Sequence, residues 1–153
     1  MRRTARLVTG PTHSGKTGRL LAWAEGRGGV VGIAAPDGPG GRRMMDLASG
    51  EHVEMEGPGP EEAVVEIGPY RFRQAAFDWA HDRLLDAADA SRAKYLVVDE
   101  IGPLELRGEA LAPALDALLA RPSLPEPIVI VRDSLTDAVA ARFDLSWAPF
   151  PPD

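Results

Sequence analysis

A three-layer α/β fold with a mostly parallel central sheet is the fold class that the sequence predicts, and three observations support it. Apolar β-type runs alternate along the chain with segments of helical periodicity, as in parallel strands joined by crossover helices. The runs at 30–34, 95–98 and 128–131 contain no charged residue, which is typical of strands covered on both faces. A length of 153 residues fits one domain spanning 1–153.

In the first half of the chain, the predicted elements are short and are separated by turns rich in glycine or proline. They are, in order, a buried strand at 6–9, a helix at 18–25, a buried strand at 30–34, a loop at 36–41, a small β-hairpin insertion formed by 43–47 and 51–56, a loop at 57–60 and a strand at 64–67.

In the second half, the strongest helical pattern lies at 74–91, where Ala76, Ala80 and Leu84 fall on one face and the aspartates point elsewhere. The remaining elements are a central strand at 95–98, a helix at 110–120 with Pro113 in its first turn, a strand at 128–131, a short helix that Asp133 or Ser134 caps and that runs through Arg142, and a last strand within 143–150.

Composition excludes several classes of protein. The chain has no cysteine, which excludes disulfides, thiolate zinc sites and a cysteine nucleophile, and its 3 histidines are too scattered to suggest a histidine-built metal site. A net charge of −6 argues against a nucleic-acid partner, and no run of about 18 apolar residues predicts a membrane span. The basic start at 1–6 precedes only a short apolar stretch, so we expect no signal peptide and a cytoplasmic protein.

The segment Gly10-Pro11-Thr12-His13-Ser14-Gly15-Lys16-Thr17 matches the Walker A pattern G-x-x-x-x-G-K-[ST] at every fixed position. It follows a predicted strand and opens a predicted helix, which is the context that this motif requires. Backbone N–H groups of this segment and of Gly18 are predicted to bind nucleotide phosphates, and Lys16 is predicted to be both a binding and a catalytic residue that reaches the β- and γ-phosphates. The Thr17 hydroxyl is predicted to bind Mg²⁺. Only Lys16 and Lys94 are lysines among 17 basic residues, which makes a lysine at position 16 informative.

A carboxylate that completes the magnesium site is predicted at the end of the 95–98 strand, the Walker B position. Asp99 would hold Mg²⁺ through a water molecule, and Glu100 would polarise an attacking water. Because a phosphate acceptor other than water would not need a glutamate there, this pair favours hydrolysis.

The segment Asp99-Glu100-Ile101-Gly102-Pro103-Leu104-Glu105-Leu106 resembles the D-E-I-G-x-x-E-L segment of the THEP-type nucleoside-triphosphatases. Residues 31–36 are similar to that family's second strand, 46–51 to its D-L-x-[ST]-G-E hairpin and 67–70 to its V-G-x-Y stretch. The resemblance covers residues 6–131. It implies a RecA-like P-loop fold and slow, Mg²⁺-dependent hydrolysis of ATP, GTP and other nucleoside triphosphates to diphosphate and phosphate.

Hydrolysis of a γ-phosphate also benefits from a cation that reaches the transferred group. Arg132 follows the 128–131 strand at the sheet edge where α/β folds bind ligands, and we predict a catalytic role for it. Arg107, Arg42 and Arg43 are weaker candidates, the first because it could lie near the same face and the others because they lie in the predicted hairpin.

Two other functions stay open at this point. Gly10-Pro11 together with Ser14 to Thr17 also resembles the phosphate loop of thymidine-kinase-type enzymes, which suggests a nucleoside or nucleotide kinase. The sequence has neither an arginine-rich lid segment nor a four-cysteine zinc lobe, however. The other alternative is a nucleotide-dependent switch or accessory subunit. The sequence leaves open the base preference, the oligomeric state and any protein partner.

Overall fold

Eight strands form the central sheet of the computed structural model, which describes residues 2–39 and 41–153. They are β1 (Arg3–Gly10), β2 (Val30–Ala34), β3 (Asp37–Gly38), β4 (Gly41–Asp46), β5 (His52–Glu54), β8 (Tyr95–Asp99), β9 (Glu126–Arg132) and β10 (Leu145–Pro149), while β6 (Val64–Ile67) and β7 (Tyr70–Arg73) lie outside this sheet. The helices are α1 (Lys16–Ala24), α2 (Gln74–Ala88), α3 (Pro103–Leu106), α4 (Ala112–Leu119) and α5 (Thr136–Phe143).

The strand order is β10-β1-β9-β8-β2-β4-β3, with β5 beside β4. The five strands from β10 to β2 are parallel, whereas β4 joins β2 in the antiparallel direction. Gly10 lies opposite Arg132 across β1 and β9, and Asp99 lies opposite Ile130 across β8 and β9. The register therefore brings the carboxyl ends of β1, β9 and β8 to one edge of the sheet.

Helices cover both faces of the sheet, which confirms the predicted fold class. Leu20 and Trp23 of α1 pack on one face with Val97, Ile128 and Ile130. Helices α2, α4 and α5 pack on the other face, where strand residues such as Val98, Val129 and Val131 point. The central strands read as continuous apolar runs because both of their faces are buried.

A close approach of β2 to β8 explains why β2 has a glycine at position 32. Gly32 has φ +113°, and a Cβ atom there would lie 2.2 Å from the carbonyl oxygen of Val97. No other residue fits this position without moving the central strands apart.

The segment between β2 and α2 is larger than the predicted hairpin, and we name it the insertion (residues 37–39 and 41–73). The hairpin itself is confirmed, since β4 and β5 pair antiparallel with Met45 opposite His52. Residues 37–38 form a short strand where a loop was predicted, and Gly40 of that predicted loop lies outside the described residues. The insertion also contains β7, which was not predicted and which pairs with β6 as a separate two-stranded sheet.

Two further elements differ from prediction. Helix α3 was not predicted, because four residues are too few to show a helical period. The predicted cap at Asp133 or Ser134 is wrong: these residues form a 3₁₀ turn, and the residue that precedes α5 is Leu135, which makes no side-chain capping bond. Among the helices that the structure describes, none combines the length and apolar character needed to span a bilayer.

Candidate active site

The predicted phosphate loop connects the end of β1 to the start of α1. Gly15 precedes the helix with φ +83°, a left-handed conformation that favours glycine. No side chain of the described residues caps α1, so the first N–H groups of this helix keep their hydrogen-bonding capacity. Exposed N–H groups at a helix start, together with the helix dipole, form an anion-binding surface.

Lys16 is almost fully buried, at 5% exposure, and its side chain turns back over the loop. The ammonium Nζ donates hydrogen bonds to the carbonyl oxygen of Pro11 at 2.8 Å and to that of Gly10 at 3.4 Å. Within residues 2–39 and 41–153, no carboxylate forms an ion pair with Lys16. Its positive charge is therefore held by neutral carbonyl groups and stays available to an anion.

Thr17 and Asp99 meet although 82 positions separate them in the sequence. The Thr17 hydroxyl Oγ1 donates a hydrogen bond of 2.7 Å to Asp99 Oδ2, and the N–H of Ala35 donates one of 2.9 Å to the same oxygen. The other carboxylate oxygen, Oδ1, is buried and has no hydrogen-bond partner in residues 2–39 and 41–153. Burial raises the pKa of Asp99 to about 6, although these two hydrogen bonds oppose the increase.

The donors at this position fit a magnesium ion. A carboxylate and a hydroxyl are oxygen ligands of the type that Mg²⁺ binds, and the unpartnered Asp99 Oδ1 needs a cation or a donor. The described residues contain no cluster of three or more histidine, aspartate or glutamate side chains able to hold a metal ion. Mg²⁺ commonly uses one or two protein ligands and completes its shell with water and phosphate, so a site at Thr17 and Asp99 would not require such a cluster.

Glu100 and Arg132 lie side by side at the same sheet edge. Arg132 Nη2 is 3.8 Å from Glu100 Oε1, and both side chains are mostly shielded from solvent. The Arg132 Nε group is buried and has no hydrogen-bond acceptor among the described residues. The structure thus brings two of the three predicted catalytic side chains into one weak ion pair.

A cleft of about 550 Å³ connects these groups. Its polar end is lined by residues 12–18 of the phosphate loop and helix start and by Asp99, Glu100 and Arg132. Gly10 and Pro11 contribute through their carbonyl oxygens, which hold Lys16. Its apolar end is formed largely by the insertion and by α2, although the insertion also contributes the charged residues Asp37, Arg42 and Glu56 to the lining.

Of the three weaker arginine candidates, Arg42 alone lines the cleft. Its backbone N–H donates to Glu56 Oε2 at 2.6 Å, and its side chain lies 3.9 Å from Asp37. The expectation for Arg107 is wrong, because this side chain is exposed and binds Glu109 at 2.7 Å, away from the cleft. Arg43 faces Glu54 instead, at 3.9 Å.

Glu105 lines the cleft as well, and sequence reasoning gave it no role. Its two carboxylate oxygens accept hydrogen bonds from the N–H groups of Gly102 at 2.9 Å and Leu111 at 3.2 Å. Burial raises the pKa of Glu105 to about 7. The sequence feature that could have indicated a role for Glu105 is its position in the segment that resembles D-E-I-G-x-x-E-L. Its bonds to backbone groups indicate that it fixes the start of α3 and the approach to α4.

Comparisons with known proteins agree with this fold. The sequence model of a family described as NTPase matches residues 6–145. The structure of THEP1 from the hyperthermophile Aquifex aeolicus superposes with a TM-score of 0.69 at 16% identity, covering 97% of this chain and 91% of that one. The solution structure of a human cancer-related nucleoside triphosphatase gives a TM-score of 0.68 at 22% identity, covering 99% and 90%. These likenesses confirm the predicted P-loop NTPase fold. No curated protein matches the chain.

Proposed function

Because the chain belongs to the NTPase family, we propose that it hydrolyses ATP, GTP and other nucleoside triphosphates to diphosphate and phosphate with Mg²⁺ as cofactor. The observation that best supports this proposal is the 2.7 Å hydrogen bond between Thr17 and Asp99. It places a hydroxyl of the phosphate loop against a carboxylate at the end of β8, where a magnesium ion bound to a triphosphate is expected.

The phosphate chain is bound by the loop and the helix start. Backbone N–H groups of residues 12–18 donate to phosphate oxygens, and the Lys16 ammonium exchanges its bonds to the Gly10 and Pro11 carbonyls for the β- and γ-phosphates. Since these contacts are made to phosphates, which all nucleoside triphosphates share, they support a broad base preference.

Thr17 and Asp99 would hold the Mg²⁺ ion. When bound, the ion neutralises charge on the β- and γ-phosphates. A carboxylate must be ionised to serve as a ligand, and with a pKa of about 6 Asp99 is mostly ionised at pH 7.

Glu100 and Arg132 act on the γ-phosphate. The Glu100 carboxylate orients a water molecule and accepts its proton, while the water oxygen bonds to the γ-phosphorus and the bond to the β–γ bridging oxygen breaks. Arg132 donates to the γ-phosphate oxygens as charge shifts toward the leaving diphosphate.

The test is a phosphate-release assay over ATP, GTP, CTP and UTP, with Mg²⁺ or with a chelator. We expect release with each triphosphate, dependent on Mg²⁺, and a fall of roughly a hundredfold or more in Lys16→Ala, because the variant loses a charged donor to the transition state. Lys94→Ala is the matched control, since Lys94 is the other lysine of the chain and is exposed. Equal rates in Lys16→Ala and the wild type would overturn the proposed site.

A further inference from the structure

The apolar end of the cleft has a chemical character that triphosphate hydrolysis does not require. It is formed mainly by the side chains of Met44, Met55, Ile67, Phe72, Phe77 and Leu111, which we name the apolar lobe. Met44, Met55 and Phe72 are between 2% and 5% exposed, so the lobe is an inner wall and not part of the outer surface. Phosphate oxygens and an attacking water gain nothing from such a wall.

The sheet order places the apolar lobe on the γ-phosphate side of the phosphate loop. In the order β1-β9-β8-β2-β4, the loop follows β1, the carboxylates Asp99 and Glu100 follow β8, and the insertion lies beyond them at β2 and β4. The α- and β-phosphates lie on the loop amides, whereas Lys16, the metal ligands and Glu100 belong to the γ end. The apolar lobe is therefore reached past the γ-phosphate, from the side where an attacking group must approach.

An aromatic pair marks the mouth of the apolar lobe. The rings of Tyr70 and Phe72 stack with centroids 5.8 Å apart and an interplanar angle of 4°. Tyr70 is the single large hydrophobic side chain of the described residues that lies exposed, at 47%. An exposed ring backed by a buried one provides a flat surface on which a planar ligand can stack.

We propose that the apolar lobe binds a second substrate, an uncharged nucleoside or a closely similar flat ring that bears a hydroxyl group, and that this hydroxyl accepts the γ-phosphoryl group. The inference rests on the proposed function, because the phosphoryl donor is the bound nucleoside triphosphate. The ring packs against the apolar lobe and the exposed Tyr70, and the hydroxyl points to Glu100. The cleft as a whole, about 550 Å³, is of the size that small-molecule substrates occupy.

The transfer step uses the same residues as hydrolysis. The hydroxyl oxygen forms a bond to the γ-phosphorus, the bond from that phosphorus to the β–γ bridging oxygen breaks, and its electron pair leaves with the nucleoside diphosphate. The hydroxyl proton passes to the Glu100 carboxylate. The sequence favoured water as acceptor because of Glu100, but a general base accepts a proton from an alcohol as it does from water. In the absence of the second substrate, water takes the same position.

The experiment incubates the full chain with [γ-³²P]ATP, Mg²⁺ and one of thymidine, uridine, cytidine, adenosine or guanosine, and separates the products by thin-layer chromatography. We expect labelled nucleoside monophosphate with at least one nucleoside, together with a fall in free phosphate as that nucleoside competes with water. If phosphate is released in a Lys16-dependent manner but no nucleoside is labelled, the inference fails and the proposed function stands. If neither product forms, the proposed function fails as well.

Variants of the β6–β7 hairpin locate the acceptor. Ile67→Trp fills the apolar lobe and should lower the yield of labelled monophosphate at least about tenfold relative to phosphate release. Glu66→Trp is the matched control, since the preceding residue of the same strand points to the opposite face and is exposed. Tyr70→Ala, at the surface, should also lower the yield, and Lys16-dependent release in each variant shows that it is folded. If Ile67→Trp instead raises the KM for ATP about tenfold and leaves the transfer ratio unchanged, the lobe holds the base of ATP and the inference is overturned.

Discussion

The phosphate-binding end of the cleft and the insertion are built by different physical means. The phosphate end consists of one continuous loop and the carboxyl ends of three parallel strands, whose register fixes Gly10 opposite Arg132 and Asp99 opposite Ile130. The insertion consists of antiparallel hairpins, and β6 with β7 lies outside the central sheet. The register of parallel strands positions the first region, whereas the second combines antiparallel backbone pairing with many side-chain contacts.

Arginines provide many of those side-chain contacts. Arg73 binds the carbonyl oxygens of Glu56 and Gly57 and the carboxylate of Glu62, which holds the segment before β6 against β7. Arg83 of α2 reaches Asp46 at 3.0 Å and Glu51 at 3.1 Å at the turn of the β4–β5 hairpin. A region held by such contacts can change its lining without changing the phosphate site. We therefore expect the parallel strand ends to carry the chemistry and the insertion to select the proposed second ligand.

The largest expected effect tests the phosphate end alone. In Glu100→Gln the side chain keeps its size but loses its capacity to accept a proton, so we expect kcat to fall by a factor on the order of 10³, while the nucleotide Kd changes little. Single-turnover phosphate release measures the chemical step, and binding of a fluorescent nucleotide analogue measures Kd.

A variant in the insertion supplies the control for that measurement. Glu54→Gln makes the same chemical change at an exposed glutamate that does not line the cleft and faces Arg43 at 3.9 Å. Its kcat should match that of the wild type. Full hydrolysis by Glu100→Gln would assign water activation to another group and would remove the distinction between the two regions.

The same difference explains which parts could be predicted from the sequence. The phosphate loop occupies contiguous residues with a fixed pattern, and Asp99 marks the end of an apolar strand, so local reasoning predicted both. The apolar lobe could not be predicted in this way, because Met44, Phe72 and Phe77 come from separate elements and are indistinguishable in sequence from core residues. Their common position depends on long-range packing.

The errors in secondary structure have local causes. Strand β7 was missed because Tyr70–Arg73 is short, carries two arginines and leads directly into α2. Arg107 was misplaced because the chain turns within α3, a four-residue helix with no resolvable period, and the side chain then pairs with Glu109. Arg132 was placed well because a residue that follows a parallel strand must lie at the ligand-binding edge.

A second prediction concerns Glu105, which lies between the two regions on α3. Its pKa is raised from 4.5 to about 7 in the folded chain, so the folded state binds the proton more tightly than the unfolded state does. The stability that this provides is present in full below pH 4.5 and is lost as the pH rises through 7, by up to about 3 kcal/mol. In Glu105→Gln the side chain at this position does not titrate, so the variant lacks this pH-dependent contribution to stability. The variant also cannot accept both backbone N–H groups, so it should be less stable than the wild type at pH 5.

Urea denaturation of both proteins between pH 5 and pH 8 tests this expectation. The difference in the free energy of unfolding should shrink, or change sign, by up to about 3 kcal/mol over that range. Asp99 also has a raised pKa and lowers the stability of both proteins as the pH increases, so its contribution cancels in the difference. A difference that is constant with pH would show that Glu105 does not titrate in this window.

The smallest expected effect compares one arginine from each region. Arg132 lies at the end of β9 beside Glu100, with a buried Nε that has no acceptor among the described residues, whereas Arg42 reaches the cleft from the insertion and is paired with Asp37. Arg132→Ala should lower kcat roughly thirtyfold, about 2 kcal/mol, with little change in Kd, because its donors serve the charge that develops on the γ-phosphate. Arg42→Ala should raise KM about twofold to threefold and leave kcat nearly unchanged, since a partly exposed ion pair contributes little.

Steady-state kinetics over a range of ATP concentrations separate the two outcomes. If the larger kcat loss falls on Arg42, the insertion takes part in the chemistry and the two regions are not independent.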